Sequence, residues 1–366
     1  MNFKSSRLNN KTLEKAAAAF LPGRNPFKIN QIGNGLINLT YIVSEASGNK
    51  KIILQAINTQ IFPSPQDIVG NYLEIYQYLE SGGKAGNIPA PVYTAAGRLL
   101  YRDEDSNFWR ATEFYENSYS PMNAATEEAA YQVARSFAGF TRSLSGMDIR
   151  RLKEIIPDFH NLSFRFDLFE KAISVAPVKA LLKSTHIIAQ LRQRKSLVSF
   201  YHRVAANRGD YPERVMHHDC KINNILFDSV THEIICPVDL DTTMPGKYFS
   251  DLGDMIRTMA CTVDENSKEW EQIAIRPGFY RSVLGGYLEG AGNIFTALEL
   301  EHIHYSGLLL TYMQSLRFIT DYLSGDIYYK KTYPDQNLNR ALNQLILLEK
   351  LEEFLKTGFS FDPYQS

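Results

Sequence analysis

The sequence predicts an α+β chain, with a small β-rich N-terminal part followed by a larger and mostly helical one. Three observations carry this. Up to about residue 115 apolar residues alternate with period two around one helical stretch. Beyond about residue 120 they recur at helical spacing. Between 215 and 240 a short β pattern interrupts the helices, with polar side chains crowded at its mouth.

In chain order, INLTYIV (37–43) places Ile37, Leu39, Tyr41 and Val43 on one face of a strand, and KIILQAI (51–57) is its partner across the turn residues EASGNK. Ser64, Pro65 and Asp67 read as an N-cap, a first-turn proline and a first-turn acid, opening a helix with Val69, Tyr72, Ile75, Tyr76 and Leu79 as its apolar stripe. RLLYRD (98–103) and FWRATEF (108–114) are a further strand pair. Helical spacing then covers 123–144, 165–175, 186–206, 266–290, 296–323 and 336–357, while ILF (225–227) and EIIC (233–236) flank DSVTH as a hairpin. The early stretch KTLEKAAAAF is helix-like, with no packing partner legible in the sequence.

Composition narrows the classes of function. The 366 residues are 44% hydrophobic, enough for a large core, and Lys+Arg (39) balances Asp+Glu (40), so no basic surface predicts nucleic acid or an anionic membrane. MNFKSSRLNN holds no apolar signal-type run, and no apolar stretch approaches a membrane span. Cys220, Cys236 and Cys261 lack disulfide or zinc spacing, so the expected home is the cytoplasm.

The chemistry concentrates in HHDCKINNILFD (217–228) and PVDLDTTMPG (237–246). Moving the γ-phosphoryl group of ATP to a hydroxyl needs a carboxylate beside the hydroxyl and oxygen ligands for Mg²⁺. Asp219 followed five residues on by Asn224 can supply both, and Asp239, after the apolar IICPV run, adds a second metal-facing carboxylate. Against this stands the preference of Asp and Asn for turns and caps, which accounts for one such residue more readily than for all of them around one hairpin.

These motifs, HHD-x4-N, an apolar strand, VD-x-D and then SDLGD, resemble the aminoglycoside phosphotransferase and choline kinase-like kinases, which share the bilobal protein-kinase fold. The resemblance spans about residues 25–330 and implies an N-lobe over 1–112, a hinge over 113–118 and a C-lobe over 119–366. It implies Asp219 as the catalytic carboxylate, Asn224, Asp239 and Asp241 as metal ligands, and ATP with Mg²⁺ as cofactors. His217 and Asp251 would brace the catalytic loop, and Glu113 and Tyr115 would hold adenine by position. Within the family, DLDTTMPG, SDLGDMIRT, ILQAIN and LRFITDYLSGDIYYK are similar to the N-acetylhexosamine 1-kinase group, which phosphorylates the anomeric hydroxyl of GlcNAc or GalNAc.

The remaining assignments are less direct. Gly33, Asn34 and Gly35 in IGNGLINLTYIV form a phosphate turn of the G-x-G-x-x-G kind, with Asn38 where a third glycine would stand. Gln55 departs from the pattern, because many kinases place a lysine there, paired with a helix glutamate for which Glu74 is the candidate. A Gln55–Glu74 hydrogen bond would orient groups without supplying a cation. Lys221 is the nearest replacement in sequence, and Leu36 stands where the subgroup suggests a polar residue. IPDFHN (156–161), with Arg317 and Asp321, offers groups for a sugar; Arg317 and Asp321 could equally form an i,i+4 ion pair. The expected partner is a small sugar or alcohol. The alternatives are a kinase for an amino alcohol, homoserine, methylthioribose or an aminoglycoside, and a non-catalytic pseudokinase that binds nucleotide or sugar. Oligomeric state is not readable from the sequence.

Overall fold

The computed structural model describes residues 9–364 apart from 24–25, 34–36, 46–47, 49 and 85. Its elements run α1 (Asn10–Phe20), β1 (Phe27–Ile32), β2 (Leu39–Glu45), β3 (Lys51–Ile57), α2 (Pro65–Ser81), β4 (Pro91–Val92), β5 (Tyr101–Arg102), β6 (Phe108–Glu113) and β7 (Ser118–Tyr119). There follow α3 (Glu127–Ser143), α4 (Leu162–Val175), α5 (Val178–Gln193), α6 (Ser196–Ala206), β8 (Arg214–Met216), β9 (Ile225–Asp228), β10 (Ile234–Pro237) and β11 (Met244–Gly246). The chain continues through α7 (Phe249–Met259), α8 (Pro277–Ala291), α9 (Ala297–Glu301), α10 (Tyr305–Leu323) and α11 (Gln336–Phe359). Two compact units result. The first holds the chain up to Tyr119 with Gly146–Ile156 and Leu226–Met244, and the second holds Ser120–Ser145, Pro157–Ile225 and the chain from Pro245 on.

The first unit is built on an antiparallel sheet of order β1-β2-β3-β6-β4, with β5 also paired to β6. Period-two alternation gives it two different faces. Tyr41, Val43, Ile52, Leu54, Ala56, Trp109 and Ala111 form the apolar face, and α1 covers it with Leu13, Ala16, Ala17 and Phe20. This is the packing partner of KTLEKAAAAF. The cap of α1 is Asn9, whose side chain accepts from the Thr12 amide at 2.7 Å. The register pairs Thr40 with Gln55 and Gln55 with Arg110, so the opposite face carries a polar row across three strands.

Helix α2 starts at Pro65 as expected, but the Ser64 side chain makes no capping bond. Its buried stripe is Ile68, Asn71, Ile75 and Leu79, one residue out of phase with the expected one in its first two turns. The cause is a polar residue in the core. Asn71 donates to the carbonyls of Lys153 (2.8 Å) and Thr243 (3.1 Å) and accepts from the Lys153 amide at 2.8 Å. It thereby ties 146–156 and the segment after the hairpin into this unit, rather than leaving them with the helices. The hairpin β9–β10 pairs through β9 with β7, Tyr119 opposite Phe227. Its turn is closed by Asp228, whose carboxylate accepts from the amides of Val230 (2.7 Å) and Thr231 (2.8 Å).

In the second unit α10 is buried around nearly its whole circumference. Helix α7 lies against it at Gly253, where a Cβ would stand 2.3 Å from the Ser306 carbonyl oxygen. The glycine of SDLGD is thus what permits the two backbones to touch. Three expected helices are shorter than the periodicity suggests, and one of them, 296–323, divides into α9 and α10. The stretch 186–206 divides at Arg194–Lys195 into α5 and α6, and 266–290 makes one 3₁₀ turn at Trp270–Gln272 and becomes α-helical only from Pro277, whose fixed φ opens α8.

Candidate active site

The part of the site in the second unit is a loop held by its own backbone. Strand β8 delivers the chain to His217, and Asp251 at the start of α7, wholly buried, accepts from the amides of His217 (3.0 Å) and His218 (2.8 Å). The buried His217 ring lies edge-on to Phe137 and Phe140, with centroids 5.0 and 6.3 Å away. His218 takes a left-handed backbone (φ 67) and its Nδ1 lies 2.6 Å from the Ser250 hydroxyl. Such a conformation costs of order 1–3 kcal/mol in a non-glycine residue and persists only where neighbours over-determine it. Gly246 makes room for that imidazole, since a Cβ there would come 2.3 Å from its Cε1.

Asp219 and Asn224 are fixed on each other. Asn224 Nδ2 donates to the Asp219 carbonyl (2.9 Å) and to its carboxylate (3.0 Å), so both amide hydrogens are spent and its carbonyl oxygen is the atom left for a cation. Lys221 Nζ lies 3.0 Å from the other carboxylate oxygen. Burial pushes the Asp219 carboxyl up, but Lys221, His217 and Asn224 outweigh it and hold the group below the usual carboxylate range. Lys221 is raised in turn, chiefly by Asp219, with Asp254 and Glu265 adding to the effect. Beneath the loop, buried Arg257 bonds Asp254 (2.8 Å) and Glu265 (2.6 Å), and Arg340 closes on the same Glu265. Cys220 is fully buried, and burial together with Asp251 pushes its thiol well up, so it is no nucleophile.

In the first unit the two acids of VDLD do different work. Asp239 is exposed and left-handed (φ 58), and it opens a single 3₁₀ turn over Leu240–Thr242. That turn swings Asp241 inward, to 2% exposure, where Arg110 pairs with it and Asn38 Nδ2 donates to it at 2.6 Å. The expectation of Asp241 as a further metal ligand therefore meets a carboxylate whose two oxygens are already engaged. Asn38, at the position of the missing third glycine, also accepts from the Asn58 amide at 3.0 Å.

The expected Gln55–Glu74 hydrogen bond is not made. Gln55 donates to Thr40 Oγ1 (3.1 Å) and accepts from Arg110 Nε (2.9 Å), while Glu74 pairs with Arg151 at 2.5 Å. Arg110 is the residue sequence reasoning missed. It stands directly opposite Gln55 on β6, and strand register was the only signal that could have exposed it. Burial lowers its guanidinium's pKa, but Asp241 and then Asp239 more than restore it. Glu113 accepts from the Ala90 amide at 2.9 Å, and the Tyr115 carbonyl accepts from Ser118 at 2.7 Å. Gly33 is left-handed (φ 66), as a tight turn requires, whereas Asn34, Gly35 and Leu36 lie outside the described residues.

Arg317 and Asp321 do not pair with each other. Asp321 accepts from the amides of Ile327 (2.9 Å), Tyr328 (2.8 Å) and Tyr329 (3.0 Å) and from Asn337 (2.9 Å), which makes it a loop anchor. Arg317 instead stacks on Phe159 and Tyr329.

Asn224 and Asp239 offer hard oxygen donors, which suit Mg²⁺. Among the described residues no three His, Cys, Asp or Glu side chains form a cage. No helix among the described residues is long and apolar enough to cross a membrane.

Comparison with known proteins gives the same class. Choline kinase from Cryptosporidium parvum Iowa II superimposes with a TM-score of 0.58 at 13% identity, covering 96% of this chain and 97% of that one. A microcompartment-associated aminopropanol kinase gives 0.58 at 14%, covering 95% and 98%. Aminoglycoside phosphotransferase from Alicyclobacillus acidocaldarius gives 0.57 at 14%, covering 90% of each. At such identities the likeness is one of fold, and the fold is the kinase-like α+β one. The sequence profile described as "Phosphotransferase enzyme family" matches residues 28–290, well over half of the chain. The chain therefore belongs to that family, the aminoglycoside phosphotransferase and choline kinase-like phosphotransferases.

Proposed function

We propose that this phosphotransferase moves the γ-phosphoryl group of ATP to a hydroxyl of a small sugar, with the anomeric hydroxyl of an N-acetylhexosamine as the acceptor. The observation that carries the transfer chemistry is the Asp219–Asn224–Lys221 arrangement, in which a carboxylate is oriented by an amide and held ionised by an ammonium. Asp219 accepts a hydrogen bond from the acceptor hydroxyl and aims its lone pair at the phosphorus. Because its pKa is held low, it takes the proton late, as the new P–O bond forms. Lys221 keeps the carboxylate charged and adds positive field at the acceptor. Asn224 Oδ1 and the Asp239 carboxylate are the groups that would hold Mg²⁺. When bound, Mg²⁺ neutralises charge on the phosphates.

Arg110 answers the departure at position 55. It stands on the same sheet face as Gln55 and is bonded to it, so it supplies the cation that a strand lysine would otherwise bring. Asp241 is reassigned from metal ligand to the anchor of that arginine. With a cation in place, Gln55 no longer supports a non-catalytic protein. A second reading, an amino-alcohol acceptor, takes its support from the relatives named as aminopropanol and choline kinases. Arg165 on α4 and Arg317 on α10 line one cavity of the second unit, and a cationic pair of this kind weighs against a cationic acceptor there.

ATP consumption over a panel of N-acetylhexosamines, hexoses, amino alcohols, homoserine, methylthioribose and aminoglycosides separates these readings, with the product located by phosphorus NMR. Asp219→Ala should lower kcat by roughly 10²–10⁴ while ATP still binds. Near-normal turnover in that variant would refute the assignment.

A further inference from the structure

A cavity of about 370 Å³ opens in the second unit between α4 and the end of α10, within the usual range of ligand pockets, roughly 300–1,000 Å³. Its wall carries three cationic side chains, Arg165, Lys171 and Arg317, together with Tyr328 and Tyr329. Asp321 is the one acid of that wall, and its oxygens already accept three backbone amides and Asn337.

Among the described residues neither arginine forms an ion pair with a carboxylate, and Asp158 gives Arg165 only a lesser electrostatic support. Arg165 Nη2 donates to the Phe159 carbonyl at 3.2 Å, and its Nε is buried with no acceptor at all. Among the described residues Arg317 donates to the Gln314 side-chain carbonyl alone, at 3.2 Å, with its plane near the rings of Phe159 and Tyr329. Burial and then the like charge of Arg317 lower the pKa of the Arg165 guanidinium, and leaving a buried donor unsatisfied costs free energy as well, about 1–3 kcal/mol and more for a charged group. Packing alone gives no reason to keep both. An oxyanion between them removes both penalties, since guanidinium forks match carboxylate and phosphate oxygens.

We propose that this cavity binds a small organic anion, a phosphate ester or carboxylate held by Arg165 and Arg317, with its carbon framework against Tyr328 and Tyr329. The back wall leads to the catalytic loop. The Phe159 ring under Arg317 meets His218 edge-on at 6.2 Å, and His218 precedes Asp219. An occupant fixing Arg317 thus also fixes the ring beside the loop. The anion has two possible sources, a charged group on the acceptor itself or a separate effector, and the chemistry of the seat is the same for both.

The test is calorimetric titration of the full chain, without nucleotide, with glucose 6-phosphate, inorganic phosphate, glucose and ethanolamine. Glucose 6-phosphate should bind at least tenfold more tightly than glucose or ethanolamine. Arg165→Met and Arg317→Met should each weaken it tenfold or more. Lys171→Met, at an exposed position where folding is not at stake, should weaken it severalfold. Equal affinity for glucose and its phosphate overturns the proposal, as does unchanged binding in variants shown to be folded by circular dichroism. Adding Mg·ATP then identifies the source. Consumption of the phosphate ester marks an anionic acceptor, binding without consumption marks an effector, and both support the site. Because the titration needs no turnover, an enzyme that phosphorylates a sugar yet ignores these anions refutes this inference alone.

Discussion

Replacing Arg110 by methionine removes the only cation paired with Asp241 among the described residues while roughly keeping side-chain volume. The two side chains are 7% and 3% exposed, so the carboxylate left behind cannot recover its hydration. Breaking a buried pair from one side costs about 3–5 kcal/mol, which is a factor of roughly 10² to 10³·⁵ in the unfolding equilibrium. Gln55 also loses the donor at its carbonyl, which adds to the loss. The double variant Arg110→Met/Asp241→Asn removes the stranded charge and still gives Asn38 an acceptor, so it should regain most of the lost stability. Urea denaturation of the wild type, both single variants and the double closes the cycle, with a coupling expected at the upper end of the roughly 0.5–3 kcal/mol found for contacting residues, or above it. A second readout isolates the phosphate role. Arg110→Met should raise KM for ATP at least tenfold while leaving the inhibition constant of adenosine within a factor of two or three. A stable single variant with an unchanged KM for ATP would refute both the energetic and the functional argument.

Three further outcomes follow from the packing and charges. Gly253→Ala places a Cβ against the Ser306 carbonyl and forces α7 off α10, so the Asp251 brace moves; a loss of about 2 kcal/mol or more in thermal unfolding, with reduced kcat, is expected. Asp251→Ala strands the buried amides of His217 and His218, about 1–3 kcal/mol each, and should lower kcat far more than it raises KM for ATP. Glu265 is the third. Burial alone would raise its carboxyl, but Arg257 and Arg340 hold it well below the ordinary range. With the folded pKa depressed, its stabilisation is complete above the unfolded value near 4.3 and fades as pH falls below that. Glu265→Gln should therefore cost about 3 kcal/mol at neutral pH and flatten the stability profile below about pH 4.5, which denaturation at a series of pH values will show.

The strands, the hairpin and the loop residues Asp219 and Asn224 were legible because alternation and spacing are local properties of the chain. What the sequence hid depends on register and on contacts between distant segments. Arg110 faces Gln55 only because β3 and β6 pair in one register, across 55 residues of chain. Asp239 and Asp241 would share a face on a continuing strand, yet the left-handed residue and the 3₁₀ turn send one outward and bury the other. Asn71 disguised the buried stripe of α2, since an asparagine there reads as surface until its backbone partners are known. Arg165 carried no signal at all, because the cavity exists only once α4 and α10 are packed.

The row Thr40–Gln55–Arg110 has a consequence for how the chain reaches its fold. β2 and β3 are neighbours in the chain, but β6 joins them from a distant part of the sequence, and such long-range pairings are the ones most exposed to error during folding. A slip of β6 by one residue would turn Trp109 away from the apolar face that α1 covers, bring Arg110 onto it and strand that charge among Leu13, Phe20 and Leu54. The arginine that anchors Asp241 in the finished molecule thus also acts as a proof-reader of strand alignment, making the nearest misfolded sheet unaffordable before any substrate is met.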